Sequence, residues 1–327
     1  GGGSGVARMS TVVAEEEGLA HSVKALYWTQ HYCGAPGPLP QSWLSWIKSK
    51  EEGDEDDDND AVSLEPEPDV SACTSKGKDF VFFSERLKMA SNNATSIVFT
   101  PEVLQAIEPE LEKVRVGRRQ AMQRPIPEAV RTILDGEAYA SLRKETILTF
   151  DTSIYPLASS FSALLGLPDG LPLHRLHEAY HADRGRKGAR SEKATLLAPL
   201  TDADKRAEFT ALYERLIVEV LAPRLHAAIG CERVVFQSFP CVRVHRPGEF
   251  SIGPHCDAQY QAPEVNLNFY VPLTKEIWGT NSLYLESEPR KEDWHPLELK
   301  YGELTTFCGV HCSHFTAENT TDISRVS

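Results

Sequence analysis

The chain has 327 residues, with 34 Lys and Arg against 47 Asp and Glu and a formal net charge of −13. An acidic body of this kind excludes a general nucleic-acid binder, which needs a basic face to neutralise phosphates. It shows no apolar run of about 18 residues and no charged-then-apolar leader, so neither a membrane span nor a secreted product is expected. The seven cysteines are odd in number and unpatterned, which fits a reduced, cytoplasmic setting.

In chain order, Gly1 to Gly5 reads as an appended linker, which sets residues 1–8 aside and makes Met9 the expected native start. Residues 9–47 are expected to form an N-terminal helical segment that packs through Trp28, Trp43 and Trp46. Residues 51–60 hold eight acidic side chains, and subtracting them from −13 leaves −5 on the rest. With Pro66 and Pro68 nearby, 48–78 reads as a flexible acidic linker.

Residues 79–230 read as a helical support region. Thr100 is the expected cap of a helix starting at Pro101, with Val103, Leu104, Ile107 and Leu111 on one face and Pro109 expected to bend or shorten it. A second helix spans about 127–134 and stops at Gly136. The strongest runs over 202–229, where Phe209, Leu212, Leu216, Ile217, Val220 and Leu221 recur at helical spacing. Pro223 is expected to kink it and Gly230 to end it. Between these helices, 181–193 gathers Arg184, Arg186, Lys187, Arg190 and Lys193 among glycines. A solvated loop is one reading; a lid over an anionic substrate, with Arg184 and Arg186 as contacts, is the other. Arg290 and Lys291 form a smaller candidate of the same sort.

From 231 onward the period changes to two. Residues 234–245, 265–271 and 282–285 alternate as short strands do, and Glu303 to Phe307 and Ser324 onward complete the set, with glycines marking the turns. Such spacing predicts a closed or sandwiched antiparallel β-structure, and with the helical half an α+β protein in which 79–327 forms one compact domain. In a strand, residues two apart share a face, so His255 and Asp257 can reach one ion while Cys256 points away. His314 follows 57 residues after Asp257, and Arg325 eleven residues after that. Two imidazoles and a carboxylate can cover one face of an octahedral ion and leave the other open, which is the pattern of non-haem Fe(II) oxygenation. Arg325 adds a fixed cation for a carboxylate-bearing cosubstrate. His311 competes for the distal position, but it follows Gly309 and is expected in a loop. The eleven-residue spacing instead predicts adjacent strands for His314 and Arg325, joined by a turn through 319–322. Cys308, His311, Cys312 and His314 also form half of a zinc pattern, with no second half elsewhere.

Residues 234–327 resemble the Fe(II)/2-oxoglutarate-dependent oxygenases, most closely the group typified by a streptomycin-biosynthesis oxygenase. The likeness rests on the runs QSFPCVRV from Gln237, PHCD from Pro254, NFYVPLT from Asn268 and NSL from Asn281, and on His314 with Arg325-Val326-Ser327. It implies a double-stranded β-helix (a jelly-roll, cupin-like core) over 231–327, with the helical N-terminal half packed against it. It also implies Fe(II) held by His255, Asp257 and His314, and 2-oxoglutarate held by Arg325 and Ser327. Gln237, Arg243 and Asn268 are implied to face the cavity, Gln237 and Asn268 towards the cosubstrate and Arg243 towards the substrate. Family members continue past the R-x-S segment, so a chain ending at Ser327 is expected to lack the end of its last core strand. The activity implied is O2-dependent oxidation of a C–H bond of a small metabolite, with release of succinate and CO2. The rivals are a protein- or nucleic-acid-modifying oxygenase of the same chemistry and an inactive cupin-like metal-binding module.

Overall fold

The computed structural model describes residues 30–32, 83–180, 196–231, 233–237, 239–260 and 262–327. The acidic linker 48–78 and the whole basic loop 181–193, with Arg184 and Arg186, lie outside the described residues, as does 9–47 apart from Gln30–Tyr32. Those three residues form a strand, β1, not part of a helix, and pair antiparallel with β3 (Arg233–Val235).

The helices follow their local chemistry. The longest, α1 (Pro101–Ala121), starts where Thr100 Oγ1 accepts from Val103 N at 3.4 Å. Pro109 does not shorten it. A proline inside a helix costs about 3 kcal/mol, but beyond it Leu111, Val114 and Arg118 stay buried on the same face, and that packing holds the helix together. Two short helices, α2 (Glu128–Leu134) and α3 (Glu137–Leu142), meet at Gly136, and α4 (Leu157–Leu164) follows. The expected long helix is split into α5 (Ala203–Leu216) and α6 (Ala222–Ile229) by a π-helical turn at Ile217–Leu221. That turn accommodates Pro223, because widening the ring to i→i+5 moves the carbonyl that the pyrrolidine would strike. Gly230 ends α6 in the left-handed region, φ 65°.

The strands are shorter than the alternation predicts, and they form small antiparallel sheets. One has the order β2 (Thr146–Thr149), β10 (Glu303–Phe307), β5 (Asn268–Tyr270). A bond from Leu273 N to Val326 O at 2.8 Å leads from it to β12 (Arg325–Val326), which pairs with β4 (Val244–His245). The other has the order β11 (His314–Phe315), β7 (Tyr284–Leu285), β8 (His295–Pro296), and His255 bridges to its outer side. A further pair joins β6 (Glu276–Ile277) to β9 (Leu299–Lys300). His314 and Arg325 are therefore not on paired strands, as their spacing had predicted. The turn between them carries the chain from one sheet to the other, held by Asn319 Nδ2 donating to the carbonyls of His245 and Ile323.

Helices cover the outer faces of both sheets. Phe161 and Phe209 pack with Val244, Leu304 and Val326, whereas Ile107, Leu111 and residues 83–90 pack with Tyr284, Trp294 and Phe315. A third cluster includes Tyr270, Leu285 and Phe307. Alternation then turns the neighbours of these outward residues inward: His314 beside Phe315, Arg325 beside Val326, and Asn268 beside Phe269.

Candidate metal centre

His255 and His314 are brought together by the backbone. His314 N donates to His255 O at 2.8 Å and His255 N donates to His314 O at 3.1 Å. Side chains facing each other across such a pair stand close, and the ring centroids are 4.3 Å apart. Asp257 is not on a strand but opens the 3-10 turn Asp257–Tyr260. Its N–H donates to Gly309 O at 2.8 Å, and the turn places Oδ1 3.8 Å from His255 Nε2 and 3.5 Å from His314 Nε2. The three ligand atoms lie within 4.8 Å of one another, and the residues are 6, 8 and 6% exposed in chain order.

The tautomers are fixed by carbonyls. His255 Nδ1 lies 2.8 Å from Gly253 O, and His314 Nδ1 lies 3.1 Å from Cys312 O. A carbonyl only accepts, so each Nδ1 carries a hydrogen and each ring turns its Nε2 towards Asp257. Asn268 Nδ2 donates to Asp257 Oδ2 at 2.8 Å, leaving Oδ1 for the imidazole side. Gly309 packs against this pair: a Cβ there would lie 2.6 Å from Asp257 Oδ2 and 2.7 Å from Asn268 Oδ1.

Burial and the neighbouring His314 push His255 down to about 3, so its ring is neutral at any ordinary pH. Burial opposes charge on His314 as well, but the Asp257 carboxylate outweighs it and raises His314. Asp257 is in turn held below its ordinary range, because His314, His255 and the Asn268 hydrogen bond overcome its own burial. Without an ion, the Asp257 carboxylate favours a proton on His314, in the place an ion would share among all three.

His311 takes no part. Its Nε2 lies 2.6 Å from Glu264 Oε2, within the turn closed by Cys312 N to Cys308 O at 2.8 Å. Cys308 Sγ accepts from Arg143 Nε at 3.2 Å and Nη2 at 2.9 Å, and its thiol is lowered to about 5, mainly by the Cys312 thiol hydrogen bond and also by Arg143. Among the described residues only His255, Asp257 and His314 bring three such ligand atoms together.

Arg325 is 2% exposed, and its Nε and Nη1 have no hydrogen-bond partner among the described residues. A buried guanidinium normally keeps its fork occupied, because an unmade charged hydrogen bond costs about 1–3 kcal/mol. Burial lowers its pKa, and the adjoining Tyr270 hydroxyl opposes that. Ser327 exchanges both backbone bonds with Arg243, at 2.8 and 3.0 Å. The charge of Arg243 is felt at both His255 and Arg325, which brings it to the same interior. The Gln237 carbonyl accepts from Tyr213 Oη at 3.1 Å.

Three residues escaped the sequence reading. Tyr270 was available to it, standing two residues after Asn268 and so on the same face. Tyr260 packs edge-on to His255 at 5.3 Å, and Gly309 backs Asp257. Nothing local in the sequence marks either. No protein-family model matches the chain, and no curated protein matches it.

Proposed function

We propose that this chain is an Fe(II)/2-oxoglutarate-dependent oxygenase that oxidises a C–H bond of a small metabolite. The observation that carries the reading is a buried 2-His-1-carboxylate cluster in the same interior as a buried arginine with unpartnered donors. A metal fits the cluster because carbonyls occupy both Nδ1 atoms, so both Nε2 atoms and one carboxylate oxygen face one another. Small antiparallel sheets packed against helices support a double-stranded β-helix as the core.

When bound, ferrous iron would activate O2, the oxidant, with 2-oxoglutarate as co-reductant: its decarboxylation to succinate takes up one oxygen atom and the C–H bond of the substrate receives the other. The protein's residues do the rest. His255, Asp257 and His314 hold the ion, and Asn268 keeps Asp257 turned so that one oxygen remains inward. Arg325 receives the far carboxylate of the cosubstrate on Nε and Nη1, with Tyr270 and Ser327 beside it. Tyr270 and Asn268 lie two residues apart on one strand face, about 6.6 Å, so one strand would serve both the metal end and the carboxylate end of the site. Ligands less than a tenth exposed favour a small substrate over a folded polymer.

The test is anaerobic titration of the Fe(II)-loaded protein with 2-oxoglutarate, followed through the visible charge-transfer band, and then aerobic assay of succinate. A chain that binds Fe(II) but neither binds nor consumes 2-oxoglutarate refutes the reading and leaves a metal-binding module.

A further inference from the structure

Directly behind His314 lies a fully buried ion pair that neither holds metal nor meets cosubstrate. Arg118, on the last turn of α1, donates from Nη1 to Glu286 Oε2 at 2.7 Å, and the two side chains are 3 and 0% exposed. The same guanidinium nitrogen donates to His311 O at 3.1 Å. Glu286 Oε2 also accepts from Ser313 N at 2.5 Å, and Oε1 accepts from Glu292 N at 3.1 Å. Glu286 N returns a bond to Ser313 O at 3.1 Å, and Trp294 Nε1 donates to Ser313 Oγ at 2.8 Å.

The segment entering the third ligand is thus pinned at residues 311 and 313 from the outside. The His314 ring on the inside is oriented by the carbonyl of Cys312, which lies between those pins. A buried ion pair is poor evidence of stability, because desolvating two charges offsets most of their attraction. Hydrophobic neighbours such as Phe315 and Tyr284 would fill this space at lower cost. What the pair supplies is direction: a carboxylate accepts from specific N–H groups, and a guanidinium fork fixes where that carboxylate stands.

We propose that Arg118 and Glu286 are positioning residues for the metal centre, holding the 311–313 segment so that His314 Nε2 points at the ion. This rests on the metal reading above. Partners one step removed from a metal ligand typically set its affinity by about ten- to a hundred-fold, and Arg118–Glu286 acts one step further out, through the backbone of Ser313.

The experiment uses Co(II) alone as probe, titrated into the full chain and followed by its visible ligand-field bands beside thermal melting. Removing one partner leaves an uncompensated buried charge and endangers folding, so the main variant is Arg118→Met with Glu286→Gln, and Arg118→Lys is the conservative one. Leu165→Ala, in the cluster around α4, serves as a control that lowers stability elsewhere. The expected result is a Co(II) Kd weakened about tenfold or more in the double variant, with altered band positions. Arg118→Lys is expected to lie between it and wild type, and Leu165→Ala to melt earlier with Kd and bands unchanged. A double variant or Arg118→Lys protein that melts earlier yet keeps wild-type Kd and bands overturns the proposal and leaves the pair merely structural. A wild-type chain that gives no Co(II) bands overturns the metal reading itself, and the positioning role with it.

Discussion

Asn268 donates from Nδ2 to Asp257 Oδ2 at 2.8 Å, so that the carboxylate presents Oδ1 alone to the two imidazoles. The pair is closed from behind by Gly309. Gly309→Ala would drive a methyl into both side chains, and we expect about 1–3 kcal/mol of destabilisation together with loss of tight metal binding. Thermal melting and Co(II) titration of the same protein check it, and wild-type values in both would show that the contact relaxes freely.

Alanine at His255, Asp257 or His314 is expected to abolish tight Fe(II) binding while circular dichroism stays near wild type. His311→Ala is expected to keep the iron, because His311 spends its Nε2 on Glu264. A His311→Ala protein that loses iron while His314→Ala keeps it would reverse the choice of third ligand.

Arg325→Ala is expected to weaken 2-oxoglutarate by about 30- to 1000-fold, the equivalent of about 2–4 kcal/mol for a charged bidentate pair. Iron affinity is expected to change little. Arg325→Lys should recover part of the loss, since a point charge cannot reproduce the fork. The charge-transfer titration measures this, and normal 2-oxoglutarate binding by Arg325→Ala would remove the cosubstrate assignment.

Metal affinity is expected to rise with pH through the raised pKa of His314, above its ordinary 6.5, by about tenfold per pH unit while one proton is displaced. His255, neutral from about pH 3 upward, adds nothing there. The metal-free protein has the opposite slope from this group. A raised folded pKa contributes stability that is complete below about 6.5 and lost as pH rises through the folded value. Asp257, lowered, contributes above about 3.8 and loses that as pH falls. Melting curves with and without Co(II) between pH 5 and 9 test both slopes; a Co(II) affinity flat across that range contradicts the proton on His314.

The meeting of His255, Asp257 and His314 was legible in the sequence because few side chains can bind a divalent ion and their order is printed in the chain. Helix α1 was legible from Thr100 and Pro101, and β10 from its alternation. The membership of His314 and Arg325 in different sheets was not, since an eleven-residue spacing suits a hairpin as well as a crossover, and only non-local pairing decides. Arg118 and Glu286 were hidden for another reason. Charged residues on a helix or at a strand end read as solvent-facing, and only a partner distant in the chain makes their burial tolerable. The break at Ile217–Leu221 was announced by Pro223, though its π-helical form was not.

His255 and His314 face each other through one pair of backbone hydrogen bonds, and the strands around them pair through the sheet, so the exposed loop that joins β7 to β8 serves only as a tether. That tether has a natural place to be cut. Residues 287–291 are exposed, and Ser287 on one side holds Asp293 on the other through bonds of 3.0 and 2.6 Å. Two fragments ending and beginning within 288–290 would each carry part of the triad, and their docking surface is the sheet itself. The chain therefore lends itself to splitting into halves whose reunion would be reported by the return of the cobalt spectrum.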